Sequence, residues 1–162
     1  MKNLLHTLAV AGLVVGLITA SGTSFAQTQT QAQTRDLAHE EANRKLVLDF
    51  YDQVFVKHEV EKAALVLADD YIQHNPLVPT GKAPFVNFFT GFFKANPQAK
   101  GRTLRSATDG DLVFLHNHST TSENDRGRAI VDIFRVKDGK IVEHWDVIQP
   151  VPETAANTNT MF

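Results

Sequence analysis

The sequence predicts an α+β fold, and three observations carry that reading. Segments with helical spacing of apolar residues are gathered between Asp36 and Ala95. Segments rich in β-branched and aromatic residues then run from Gly101 to Gln149. Two of these segments flank Lys137-Asp138-Gly139, a strong hairpin signal. Helices grouped ahead of an antiparallel sheet belong to the α+β class.

Residues 1–26 read as a secretory signal peptide. Lys2 supplies the positive start, Leu8 to Ala20 the apolar run, and Ser24-Phe25-Ala26 a small-x-small cleavage site before Gln27. The run is short for a bilayer span, and no Cys follows it to carry a lipid. Residues 27–35 are polar, low in complexity and expected to be a disordered leader. Residues 36–152 form the folded domain, and 153–162 read as a flexible tail. Without Lys2, 15 basic and 18 acidic residues remain, a net charge of −3. That balance argues against nucleic acid and, after signal cleavage, against membrane as partners. An exported chain without Cys must be held by packing alone, which suits a periplasm; the expected location is periplasmic or secreted.

Asp36 is a plausible N-cap for a first helix reaching about Lys57, with Leu46, Val47, Phe50, Tyr51, Val54 and Phe55 as its apolar stripe and Glu40 off it. A short helix is expected over about Val60 to Ala68, then a short extended piece from Tyr71 to His74, stopped at Asn75-Pro76. A third helix runs from about Lys82 to Ala95; Pro84 fits only its first turn. Its phenylalanines make it apolar on more than one side, so it is buried or covers something. Strands are expected at Gly101–Thr108 (near an edge) and Asp111–Thr121, followed by the hairpin.

A three-residue hairpin loop with Gly139 in the left-handed position sets Val136 opposite Lys140, Phe134 opposite Val142, Asp132 opposite His144 and Ile130 opposite Asp146. Alternation then places Asp132, His144 and Asp146 on one face among Ile130, Phe134, Val142 and Ile148. Two carboxylates and an imidazole in an apolar setting point to acid–base chemistry. Trp145 falls on the other face with Val131, Ile133 and Val147, an apolar patch that predicts a homodimer.

The stretches YIQHNP (Tyr71–Pro76), GDLVFLHNHS (Gly110–Ser119) and AIVDIFRVKDGKIVEHWDV (Ala129–Val147) resemble the SnoaL-like polyketide cyclases of the nuclear transport factor 2-like superfamily, over about Leu37 to Pro150. The resemblance implies a cone: a curved mixed or antiparallel sheet around the N-terminal helices, enclosing a ligand cavity. It also implies intramolecular aldol chemistry without metal or cofactor, with the acid–base carboxylate two residues after a histidine on the last long strand, the arrangement of His144-Trp145-Asp146. Apolar surroundings disfavour a charged carboxylate and make it a better base. His144 then holds or relays the proton or donates to the enolate oxygen. Asp132 departs from the cyclases, which carry a histidine at about this place. It either orients His144, shares a proton with Asp146, or is structural.

His116 and His118 share a face with Leu112 and Phe114, leaving Val113, Leu115 and Asn117 on the other. His-x-His on a strand can bring two imidazoles to one metal; the reading adopted is a metal-free cavity wall. His74, His116, His118, Phe114 and Phe134 are the expected substrate contacts, with Asp146, His144 and Asp132 catalytic. The expected function is acid–base catalysis on a small apolar carbonyl compound by cyclisation, isomerisation or dehydration. The alternatives are a periplasmic binding protein without turnover and a metal-dependent enzyme built on the histidines.

Overall fold

The computed structural model describes residues 34–162. The expected signal peptide and all of the leader before Thr34 lie outside the described residues. The chain forms α1 (Leu37–Phe55), α2 (Val60–Ala63), one 3₁₀ turn (Ala64–Val66), β1 (Leu67–Gln73), α3 (Lys82–Ala95), β2 (Lys100–Asp109), β3 (Leu112–Thr120), β4 (Arg128–Lys137) and β5 (Lys140–Pro150). Asp36 caps α1 by accepting the His39 N–H at 3.0 Å. α1 buries Val47, Phe50, Tyr51 and Val54, as its stripe predicts. It also buries Glu40, which pairs with Arg35 and accepts from the Gly110 N–H, tying the helix to the β2–β3 turn. The second helix is shorter than expected because Leu67 already pairs with Ile141 as strand.

The five strands lie in the order β1-β5-β4-β3-β2. β1 runs parallel to β5 and every other pair is antiparallel, so the sheet is mixed and open. Helices cover one face. Val47, Phe50 and Val54 of α1 and Phe85 of α3 meet Val113, Leu115, Phe134, Val136 and Ile141 in the core. Among the described residues no helix is long and apolar enough to cross a membrane.

The closing hairpin differs from the expected register in two ways that cancel in parity. Its loop is two residues, Asp138 and Gly139, both at positive φ (51° and 71°), with Lys137 opposite Lys140. That is the pattern of a type I′ turn, whose twist matches the strands. A bulge then follows: Val136 faces Ile141 but Arg135 faces Glu143, leaving Val142 unmatched. Asp132 therefore stands opposite Asp146, Phe134 opposite His144 and Ile130 opposite Ile148. Each change shifts the pairing by one residue, so together they return every side chain beyond the bulge to the expected face. Val142 is the exception, since Ile141 takes the buried position.

Glu153–Phe162 contains no helix or strand. Its end is nevertheless packed: the Phe162 ring lies 4.1 Å from that of His118 and 5.9 Å from that of His116.

Candidate active site

Alternation along β4 and β5 builds the floor of a cavity. Arg128, Ile130, Asp132 and Phe134 line it from β4, and His144, Asp146 and Ile148 from β5. Helices α1 and α3 supply an aromatic roof of Phe50, Tyr51, Phe55, Phe85, Phe88, Phe89, Phe92 and Phe93. The cavity holds about 150 Å³, a volume that elsewhere takes one benzene-sized ring.

At its polar end the side chains form one hydrogen-bonded chain. Asn117 Nδ2 donates to Asp132 Oδ2 at 2.6 Å, and Asp132 Oδ1 lies 2.9 Å from His144 Nε2. His144 Nδ1 lies 2.8 Å from Gln73 Oε1. Gln73 Oε1 also accepts the backbone N–H of Asn75 at 2.9 Å, while Gln73 Nε2 donates to the Tyr71 hydroxyl at 3.1 Å. A backbone N–H can only donate, so the amide orientation is fixed and His144 Nδ1 must carry a proton. One further proton then lies between Nε2 and Asp132. The pair is imidazolium with carboxylate or imidazole with carboxylic acid, and its net charge is zero in both. Asp132 and His144 are each only 6% exposed, so this neutrality matters: an unpaired buried charge there would be costly.

Asp146 is different. Its Oδ2 accepts from Asn75 Nδ2 at 2.6 Å. Its Oδ1 has no hydrogen-bond partner among the described residues, and the residue lines the cavity. Two phenols complete the lining. Burial, with the charges of Asp132 and Asp146 beyond it, pushes Tyr71 well above its ordinary range. Burial and Asp132 do the same to Tyr51. Both stay neutral, and since the Tyr71 oxygen accepts from Gln73, its own proton remains available to donate.

Asp132, His144 and Asp146 each offer a ligand-type atom within 4.8 Å of the others, the one such grouping among the described residues. Both His144 nitrogens and both Asp132 oxygens already have partners. A metal would have to displace those bonds, so the donor set fits a hydrogen-bonded dyad better than an ion.

The structure brings Asp132, His144, Asp146 and Phe134 together and sends the other expected contacts elsewhere. On β3 the inward residues are Val113, Leu115 and Asn117, each 0% exposed. Phe114, His116 and His118 therefore occupy the opposite face, correcting the expectation that they line the cavity. There His116 Nδ1 meets Arg105 and His118 Nε2 meets the Arg126 carbonyl. His74 is also outside the cavity, bonded to Glu143 at 2.9 Å and stacked on Trp145 at 4.8 Å. That hydrogen bond, more than Arg135, holds the Glu143 carboxyl below its usual range. With His74, His116 and His118 dispersed, the histidine-built metal centre has no geometric basis. Gln73, Asn75, Asn117, Tyr51 and Tyr71 are the site residues that sequence reasoning missed. The alternation Tyr71, Gln73, Asn75 ahead of Pro76 was the available signal for three of them.

The SnoaL-like domain model matches residues 47–144, ending two residues before Asp146. No curated protein matches the sequence. Among solved structures, the chain is similar to a proposed ketosteroid isomerase from Kribbella flavida (20% identity over 73% of this chain and 85% of that one, TM-score 0.60). It is similar to a proposed polyketide cyclase from Bacillus cereus (22% identity, 66% and 74%, TM-score 0.56). It also resembles an LEH-like epoxide hydrolase from M. tuberculosis (16% identity, 68% and 84%, TM-score 0.57). At these identities the likeness concerns the fold.

Proposed function

This chain belongs to the SnoaL-like family, and from that premise we propose that it is a cofactor-independent acid–base catalyst acting on a small apolar carbonyl compound. The observation that carries the proposal is Asp146 Oδ1, unpartnered in an aromatic cavity beside a neutral, fully hydrogen-bonded Asp132–His144 pair. Asp146 removes a proton from the carbon next to a substrate carbonyl. Tyr71, a neutral phenol, donates to the oxygen where enolate charge develops. His144 serves by holding Asp132: its Nε2 engages Asp132 Oδ1 at 2.9 Å, which leaves Asp146 as the carboxylate with a free oxygen toward the cavity. The enolate then closes a ring, shifts a double bond or expels a leaving group according to the substrate. Isotope exchange at the α-carbon of small aryl ketones, with and without Asp146, tests this reading. Tight binding with no exchange would favour a binding protein.

We extend the proposal to export and to pairing. The Ser24-Phe25-Ala26 site supports a mature N-terminus at Gln27, which N-terminal sequencing of exported protein checks. The outer sheet face supports a homodimer: Val147 is 70% exposed, Val131 is exposed beside it, and Trp145 lies there under His74 and Arg135.

A further inference from the structure

The cavity floor is a ladder of paired residues. From the deep end it reads Phe134 with His144, Asp132 with Asp146, Ile130 with Ile148, and Arg128 with Pro150. The ionisable groups of the proposed chemistry occupy the first two rungs, the third is apolar, and the last carries a cation. Arg128 has the same inward parity as Ile130 and Asp132 and lines the same cavity. Ser119, across from it on β3, lines the cavity too. Among the described residues the Arg128 side chain has no hydrogen bond and no ion pair within 4 Å. The nearby acid, Asp125, is already engaged by the N–H groups of Thr121 and Gly127 and by the Thr121 hydroxyl. Around the opening Leu77, Phe88 and Ile148 are exposed.

We propose that Arg128, with Ser119, receives a carboxylate carried by the substrate, so that the substrate class is an elongated apolar carboxylic acid bearing a carbonyl at its far end. This rests on the catalytic reading above and adds what the substrate must look like. Four residues of strand separate Arg128 from Asp132, about 13 Å of backbone. A molecule touching both ends therefore lays an apolar body over Ile130 and Ile148. The cavity's 150 Å³ takes the reacting portion, and the remainder lies along the exposed apolar rim. A guanidinium is the planar fork that suits a carboxylate; Lys100, the other cation lining the cavity, is a point charge without that fork.

The test compares 4-phenylbutyrate with its neutral analogue 4-phenylbutan-1-ol by calorimetry on the full domain at low salt. The acid is expected to bind about 1.5- to five-fold tighter, the range for one exposed charge pair. Arg128→Gln should abolish that preference by weakening the acid alone, and Arg128→Lys should restore part of it. Arg128 is exposed, so neither change threatens the fold. Equal binding of the two probes by the wild type, a preference that survives Arg128→Gln, or binding of neither probe would overturn the proposal. Asp146→Asn is measured in parallel. An acid preference retained there sustains the carboxylate site on its own evidence, even if exchange assays remove Asp146 as the base.

Discussion

Replacing Gln73 by Leu keeps the side chain's approximate size and removes an acceptor that two donors share. The His144 Nδ1–H at 2.8 Å and the Asn75 N–H at 2.9 Å both lose their partner. Each unpaired buried donor costs about 1–3 kcal/mol. The cavity beside them admits water, so the lower part of that range applies, and urea unfolding should report a loss of about 2–4 kcal/mol. The Tyr71 hydroxyl loses a donor but not its own proton, and contributes little. Imidazole ¹⁵N–¹H correlation spectra should show Nδ1 of His144 protonated in the wild type and both tautomers exchanging in Gln73→Leu. A wild-type spectrum with Nδ1 unprotonated at neutral pH would refute the reasoning, because the amide orientation of Gln73 leaves no other donor for that contact.

Tyr51 and Tyr71 are the chain's two tyrosines, and burial raises both. A raised phenol favours the folded state fully below the unfolded value near pH 10, and that contribution is lost as pH rises further. Absorbance at 295 nm should therefore stay flat through pH 10 and rise only with unfolding; a reversible phenolate signal in folded protein would contradict this. Val147→Glu on the outer sheet face should convert the proposed homodimer to monomer in light scattering with the fold retained in far-UV circular dichroism, and a wild-type monomer at micromolar concentration would exclude sheet-mediated pairing.

Much of the fold was legible because its signals are local. Helical spacing and Pro84 bound α3, and Asp36 marks the start of α1. β1 was less so: LADDYIQ has no alternation, and its parallel pairing with β5 is set by a partner some seventy residues away. The hairpin shows how an error can leave a site intact. Asp138-Gly139 and the Val142 bulge each move the register by one, and period-two geometry returns Asp132, His144 and Asp146 to one face. On β3 the same periodicity misled, because both faces look apolar and His116 and His118 drew attention by their chemistry. Asn117, a lone amide between Leu115 and Ser119, was the better pointer inward. At Tyr71–Asn75 the histidine again outweighed parity, hiding Gln73 and Asn75 on either side of it.

The measurement that bears most directly on the account is deuterium uptake from D₂O at the α-carbon of 2-tetralone, followed by NMR with wild type and Asp146→Asn. The substitution keeps the shape of the side chain and removes its basicity, and the aromatic walls that hold the ketone are untouched. The account predicts exchange catalysed by the wild type and slowed by about two to four orders of magnitude in the variant, with ketone affinity nearly unchanged. Equal exchange rates for the two proteins would contradict it.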